Sequence, residues 1–300
     1  MFKLLKTNLR HLTFRRIFLL AAAAMLLLGI DAGLSMRRNN FFTSEDFIFG
    51  VPIVAGVAIF IIAREHSDGT LRTKLTIGYT RPQIFFSFII SSFICMIVLF
   101  LCLILPFFMI GGISFSEIMP AGKIAFVFFV IFMVYAAVCI GSAAIALCFS
   151  RLVVIIAVTV LAALTMAGVG GSAARRLSYP ATFMEHEYDA RLDEYIASRE
   201  VPNREYVTGF NRDILRTVYK ASLFTQMRGV DDYVSVFLYR GADVPMEQYV
   251  EICRNDTTLD DSDSTILAIR SIYQFPLFAL GWIAVSLAAG IIVFRKRNIN

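Results

Sequence analysis

Charge is the scarcest ingredient of this 300-residue sequence. Asp, Glu, Lys and Arg make up 17% of it, while 58% is hydrophobic and the mean hydropathy is +0.70. Soluble domains run at about 25% charged and about 45 to 50% apolar, so a soluble globular protein is excluded. Polar and apolar residues do not alternate either, which excludes a membrane barrel: the apolar residues come in unbroken runs, several longer than the roughly 20 that cross a bilayer as a helix. The five Cys (Cys95, Cys102, Cys139, Cys148, Cys253) form no C-x-x-C pair, and four lie in apolar runs, where Cys serves as a small hydrophobe. That removes a zinc site and a disulfide scaffold. A G-x-x-x-x-G-K-[ST] loop is missing as well, since Gly122-Lys123 is followed by Ile124. The chain is not expected to hydrolyse ATP itself, by a P-loop or otherwise as an enzyme.

What remains is an all-α membrane protein. Six spans are expected at about 17–36, 47–63, 84–113, 124–149, 152–172 and 272–294. The first run has an alternative reading as a signal peptide, because Lys3, Lys6, Arg10, Arg15 and Arg16 precede it; no A-x-A site follows and the hydrophobicity resumes past Asp31. An even number of spans puts both termini on one side. That side carries thirteen Lys and Arg, in residues 1–16, the 64–83 loop, Arg151 and the 295–300 tail, against Arg37, Arg38 and Lys123 on the other. Positive charge marks the cytoplasm, so the expectation is a multi-pass protein of the cell membrane with both termini cytoplasmic. The long 173–271 segment is then extracellular, with 17 acidic and 12 basic residues. The net charge of +5 thus reports topology rather than nucleic-acid binding.

Phe2, Leu5, Leu9 and Leu12 recur at helical spacing opposite Lys3, Lys6 and Arg10, which predicts an amphipathic helix over 1–16 lying in the bilayer surface. A frayed basic tail is the plainer reading. In the 173–271 segment, Met184, Tyr188, Leu192 and Tyr195 predict a helix over 184–196 that stops near Val201-Pro202, and Phe210, Ile214, Leu215 and Val218 predict a second. The run Tyr233 to Tyr239 suits a helix or a strand. Such a segment is too long for an idle loop.

The loop Arg64 to Ile84, REHSDGTLRTKLTIGYTRPQI, carries the most local information. Gly69 breaks the chain after span two, Leu71 and Leu75 fall four apart on a short helix, and Gly78 ends it. Thr80-Arg81-Pro82-Gln83 is a capping box with Pro in the first turn of a new helix. A short helix held rigidly at the membrane surface suits docking, with Leu71 and Leu75 as its apolar contact.

With Glu65, Gly69, Thr70, Leu71, Arg72, Leu75, Arg81 and Ile84 in matching positions, the chain resembles the permease subunits of ABC transporters, specifically the type 2 exporter class. The stretch Asn203 to Met227 also resembles an Asn-x-x-Tyr-x-x-Gly segment of some members, although a Pro-Thr-Gly-Gln-like ending survives here only as Phe224-Thr225-Gln226. The resemblance implies that separate ATPase subunits, carrying ATP and Mg, dock on the 70–80 helix, and that a second permease chain, the same or homologous, completes the pathway. This chain itself would bind no cofactor and act by alternating access on an amphiphilic substrate.

Small residues recur every four positions in span one (Gly29, Gly33) and span five (Thr159, Ala163, Ala167, Gly171), and at four and three in span four (Ala137, Gly141, Ala144). The resemblance puts the first two ladders, through Gly29, Gly33, Ala163, Ala167 and Gly171, at a dimer interface; packing within the chain is the other reading. Asp31, an acid well inside a span, is a candidate pathway residue. His186 among Glu185, Glu187 and Asp189, and the Asp260, Asp261, Asp263 turn, lack the spacing of a metal site. From another class, a membrane-anchored sensor or scaffold using the external segment accommodates the same features. A secondary transporter is disfavoured by spans with almost no charge to couple an ion.

Overall fold

The computed structural model describes residues 4, 5, 7, 8, 16–39, 42, 44–189, 194–239, 246–255 and 263–296; for Asn39, Ser44, Phe183, 185–189, 194–199, Tyr239, Met246 and Glu247 it describes the backbone alone. The elements are α1 (Arg16–Asn39), α2 (Ser44–Ser67), α3 (Thr70–Thr76), α4 (Arg81–Ile118), α5 (Ala121–Cys148), α6 (Leu152–Leu177), β1 (Thr182–Asp189), β2 (Glu194–Pro202), α7 (Gly209–Ala221), α8 (Leu223–Tyr239), α9 (Met246–Asn255), α10 (Ser264–Ser271) and α11 (Phe275–Lys296). Six of these, α1, α2, α4, α5, α6 and α11, are long and apolar enough to cross a membrane. Each of the six expected spans is a helix, most of them longer than the apolar run that marks it.

Helix α5 is the centre. It is apolar all round, the pattern of a buried helix, and α2, α4 and α11 pack around it. Near one end Phe42, Phe47, Phe107, Phe115 and Phe128 interlock edge to face and stacked, with centroids 5.4 to 6.3 Å apart. Aromatic pairs of this geometry add about 0.5 to 1.5 kcal/mol each beyond the area they bury. Tyr135 of α5 donates its hydroxyl proton to Phe47 O, and Gly50 leaves it room.

Gly29 and Gly33 correct an expectation. They are buried against α4 of the same chain: a methyl at Gly29 would overlap the Leu103 backbone, one at Gly33 would press on Phe107, and one at Gly111 would lie 2.8 Å from Gly33 O. Span one's ladder is therefore intrachain packing and is closed to a second chain. The span-five ladder behaves differently. Ala163 is exposed, Ala167 and Gly171 are half-buried, and open space surrounds a Cβ at Gly171. Helix α6 as a whole is nearly bare, with only Ile155, Gly170, Ala173 and Leu177 buried.

The helix expected over 184–196 is instead strand at 184–189 and 194–196, with 190–193 outside the described residues. β1 and β2 form an antiparallel hairpin pairing Thr182 with Pro202 and His186 with Ser198, with a register shift between Glu187 and Tyr188. A spacing of four, as from Met184 to Tyr188, keeps residues on one face of a strand as well as a helix, so periodicity alone did not separate them. The second expected helix is α7, and Tyr233 to Tyr239 belongs to helix α8.

Nor does the 173–271 segment lie wholly beyond the spans. Trp282 Nε1 of α11 donates to Ala221 O at 2.6 Å, and Ser222 Oγ donates to Met166 O of α6 at 3.0 Å. Met166 lies eleven residues in from the end of α6 and Trp282 seven in from the start of α11, roughly 16 and 10 Å at about 1.5 Å per residue. The α7–α8 turn is thus sunk between two spans. Non-helical backbone at such depth must be satisfied internally: Thr225 Oγ1 donates to Ser222 O at 2.9 Å and Gln226 Nε2 to Lys220 O at 2.8 Å.

Candidate functional site

The site is the turn from α2 to α4 that holds α3, at the basic end of the bundle. Gly69 at φ 67° and Gly78 at φ 100° bracket α3 in backbone conformations that side chains disfavour. Beyond them α4 starts as the sequence predicts, in a capping box with Thr80 N donating to Gln83 Oε1 at 3.0 Å and Pro82 in the first turn.

An ion pair fastens α3 to the bundle. Lys74 Nζ donates to Glu65 Oε2 at 2.8 Å, both side chains being only 12% and 14% exposed. Thr70 Oγ1 donates to the same carboxylate, Lys74 Nζ donates to Asn8 Oδ1 at 3.0 Å, and Asn8 Nδ2 donates to Ser87 Oγ of α4 at 2.8 Å. The ammonium also lies 4.4 Å from the centre of the Phe88 ring. One cation therefore joins the end of α2, α3, α4 and the N-terminal segment. Around it, His66 Nε2 lies 3.2 Å from Ala146 O of α5, and Arg81 Nη1 donates to Arg295 O of α11. Asn8 and the end of α11 thus sit at this same end.

The sequence-selected residues divide between two faces. Glu65, Thr70 and Leu71 turn inward; Leu71 is 2% exposed, and Leu75 is half-buried against the core. Leu71 and Leu75 therefore do not present the outward apolar contact expected of them, because four-residue spacing fixes a shared face but not its direction. The outward face is Arg72, Thr73, Thr76 and Ile77, with Ile77 69% exposed.

Neither a protein-family model nor a curated protein matches the chain.

Asn8, Ser87 and the inward turn of Lys74 are what sequence reasoning missed. Lys74 and Glu65 lie nine residues apart across a glycine break, a spacing with no periodic signature. The stripe expected over residues 1–16 falls mostly outside the described residues; at the described ones, Leu4 and Asn8 are buried and Leu5 is half-buried. That segment therefore packs on protein at Leu4 and Asn8. Asp31 is exposed on α1. Among the described residues no three His, Cys, Asp or Glu side chains converge as metal ligands.

A second charged cluster sits at the opposite end. Lys123 Nζ donates to Tyr273 Oη at 2.8 Å, Phe126 stacks on that ring at 4.9 Å, and the Arg254 guanidinium lies 4.9 Å from it. Burial raises the Tyr273 phenol, but hydrogen bonding from Lys123 and Tyr233 and the flanking charges of Lys123 and Arg254 outweigh it and hold the group below its ordinary value. This cluster ties α9 to the start of α5 and α11.

What the geometry shows for α3 is attachment. It is joined through Glu65 to α2 and through Asn8 and Ser87 to α4, two of the helices that enclose α5.

Proposed function

We propose that this chain is the membrane-spanning permease of an ATP-driven exporter of the type 2 ABC class, and that α3 is the element through which a separate ATPase subunit drives it. The basic end, with both termini, faces the cytoplasm. ATP and Mg belong to the ATPase; this chain forms the pathway with a second permease and moves an amphiphilic substrate by alternating access. The observation that carries the reading is the fastening of α3. A seven-residue helix gains little stability from its own hydrogen bonds, yet here a nearly buried ion pair, two bracketing glycines and a capping box fix it while Arg72, Thr73, Thr76 and Ile77 are exposed. A loop serving only as a positive charge marker has no need of that rigidity.

The docking contact is then Ile77 as an apolar knob, with Arg72 beside it setting orientation against acids on the ATPase. Affinity purification of the native complex is expected to bring down a P-loop ATPase whose turnover depends on the permease. Ile77→Asp combined with Arg72→Glu should release the ATPase and stop export without unfolding the membrane bundle. Normal association and export in that variant removes the coupling role of α3. Recovery of the chain with no ATPase favours the sensor reading.

A further inference from the structure

The β1–β2 hairpin stands apart from everything else described. Among the described residues no helix packs along either strand and the sheet has two strands only, so neither outer edge is paired there. A lone hairpin is marginal in water, since a third strand or a helix is needed to stabilise it. Its base is nonetheless held: Asn203 N donates to Ala181 O at 2.9 Å and Asn203 Nδ2 to Pro180 O at 3.0 Å. With eight and nine residues, the strands reach roughly 27 to 30 Å at about 3.4 Å per residue. Natural edges are guarded by charged side chains, Lys above all, by Pro or by bulges. Here Lys is absent from the strands, the one Pro is Pro202 at the base, and the register shift lies beyond the Thr182 to Glu187 stretch.

We infer that the open edge of this hairpin takes up an extended cationic peptide as a third strand. The backbone supplies the pairing and charge selects the occupant. The strands hold five carboxylates (Glu185, Glu187, Asp189, Glu194, Glu200) and one guanidinium, Arg199. A second copy would set carboxylates against carboxylates, which opposes pairing. A chain with Lys or Arg at alternate positions carries its charge at the same two-residue interval as Glu185 and Glu187 do along β1, while its amides complete the ladder. The inference does not depend on the exporter reading, because it concerns only this surface.

The test uses full-length protein in nanodiscs of zwitterionic lipid and a fluorescent eight-residue peptide of alternating Lys and Val, followed by anisotropy. Binding should be saturable and should weaken at least tenfold for Glu185→Gln/Glu187→Gln. It should also weaken at least tenfold for the same peptide N-methylated at alternate amides, which keeps its charge but cannot pair as a strand. Thermal melts of the variant should match wild type, since the hairpin supports no helix. Equal binding of the N-methylated peptide reduces the interaction to loose electrostatics and overturns the inference. So does unchanged binding by the variant, or crosslinking between two chains through a Cys placed at Thr182 in the absence of peptide.

Discussion

Lys74 answers to three partners, and its removal should be felt in all of them. Breaking a nearly buried ion pair by deleting one member commonly costs about 3 to 5 kcal/mol, whereas replacing both members with apolar groups is often close to neutral. Glu65→Gln alone should therefore lower the melting temperature of the purified protein more than Glu65→Met/Lys74→Met does. Equal effects would show that the pair is not coupled. Asp232 offers a second measurement at this scale. Burial is the largest influence on its carboxyl; Arg228 opposes it, Asp231 and Asp263 reinforce it, and the group is raised to about 6. A carboxyl raised in the folded state binds its proton more tightly there than in the unfolded chain. Its contribution to stability is thus greatest below the unfolded value near 4 and is lost as the pH climbs through about 6. Melting temperature should accordingly fall between pH 4.5 and 6.5, and Asp232→Asn should flatten that fall. The capping box at Thr80 was legible in the sequence because its chemistry is local. The burial of Leu71 was not, because which side of a short helix meets the bundle is decided by α2 and α4.

At the scale of elements, length and apolar content sufficed for all six long helices, since a bilayer leaves a continuous apolar run few alternatives. They failed at β1 and β2, where a spacing of four fits a strand and a helix equally well. The glycines of the α2–α4 turn can be tested directly. Gly78 has no neighbour within 4 Å of an added Cβ, yet its φ of 100° disfavours any side chain. Gly78→Ala should therefore loosen the α3–α4 junction without a steric clash, seen as faster amide exchange over 70–80 and unchanged exchange in α5. Faster exchange throughout would mean that the turn supports the bundle as a whole.

For the whole molecule, the two ladders of small residues part company. Gly29→Leu should prevent folding, because the space is filled by the Leu103 backbone, and overpacking a fitted contact already costs about 1 to 3 kcal/mol for a few methylenes. Ala167→Leu should leave the single chain intact and, if α6 joins two permeases, shift the population from dimer to monomer in crosslinking. Dimers unchanged by Ala167→Leu would assign the bare side of α6 to lipid. The sequence displayed both ladders with equal clarity, and only the packing of α1 on α4 distinguishes them. The sunken α7–α8 turn also dictates an order of assembly. Ala221 waits for Trp282, the only tryptophan in the chain, which leaves the ribosome some sixty residues later. Until then the Ala221 carbonyl lacks that donor at a depth where an unmet polar group costs several kcal/mol. The α7–α8 turn thus cannot settle during synthesis; it completes its insertion only after the last span has arrived. Chains halted before residue 275 should be recognised by membrane quality control and degraded, and Trp282→Phe, which keeps the ring but removes the donor, should lengthen the interval before full-length chains become protease-resistant.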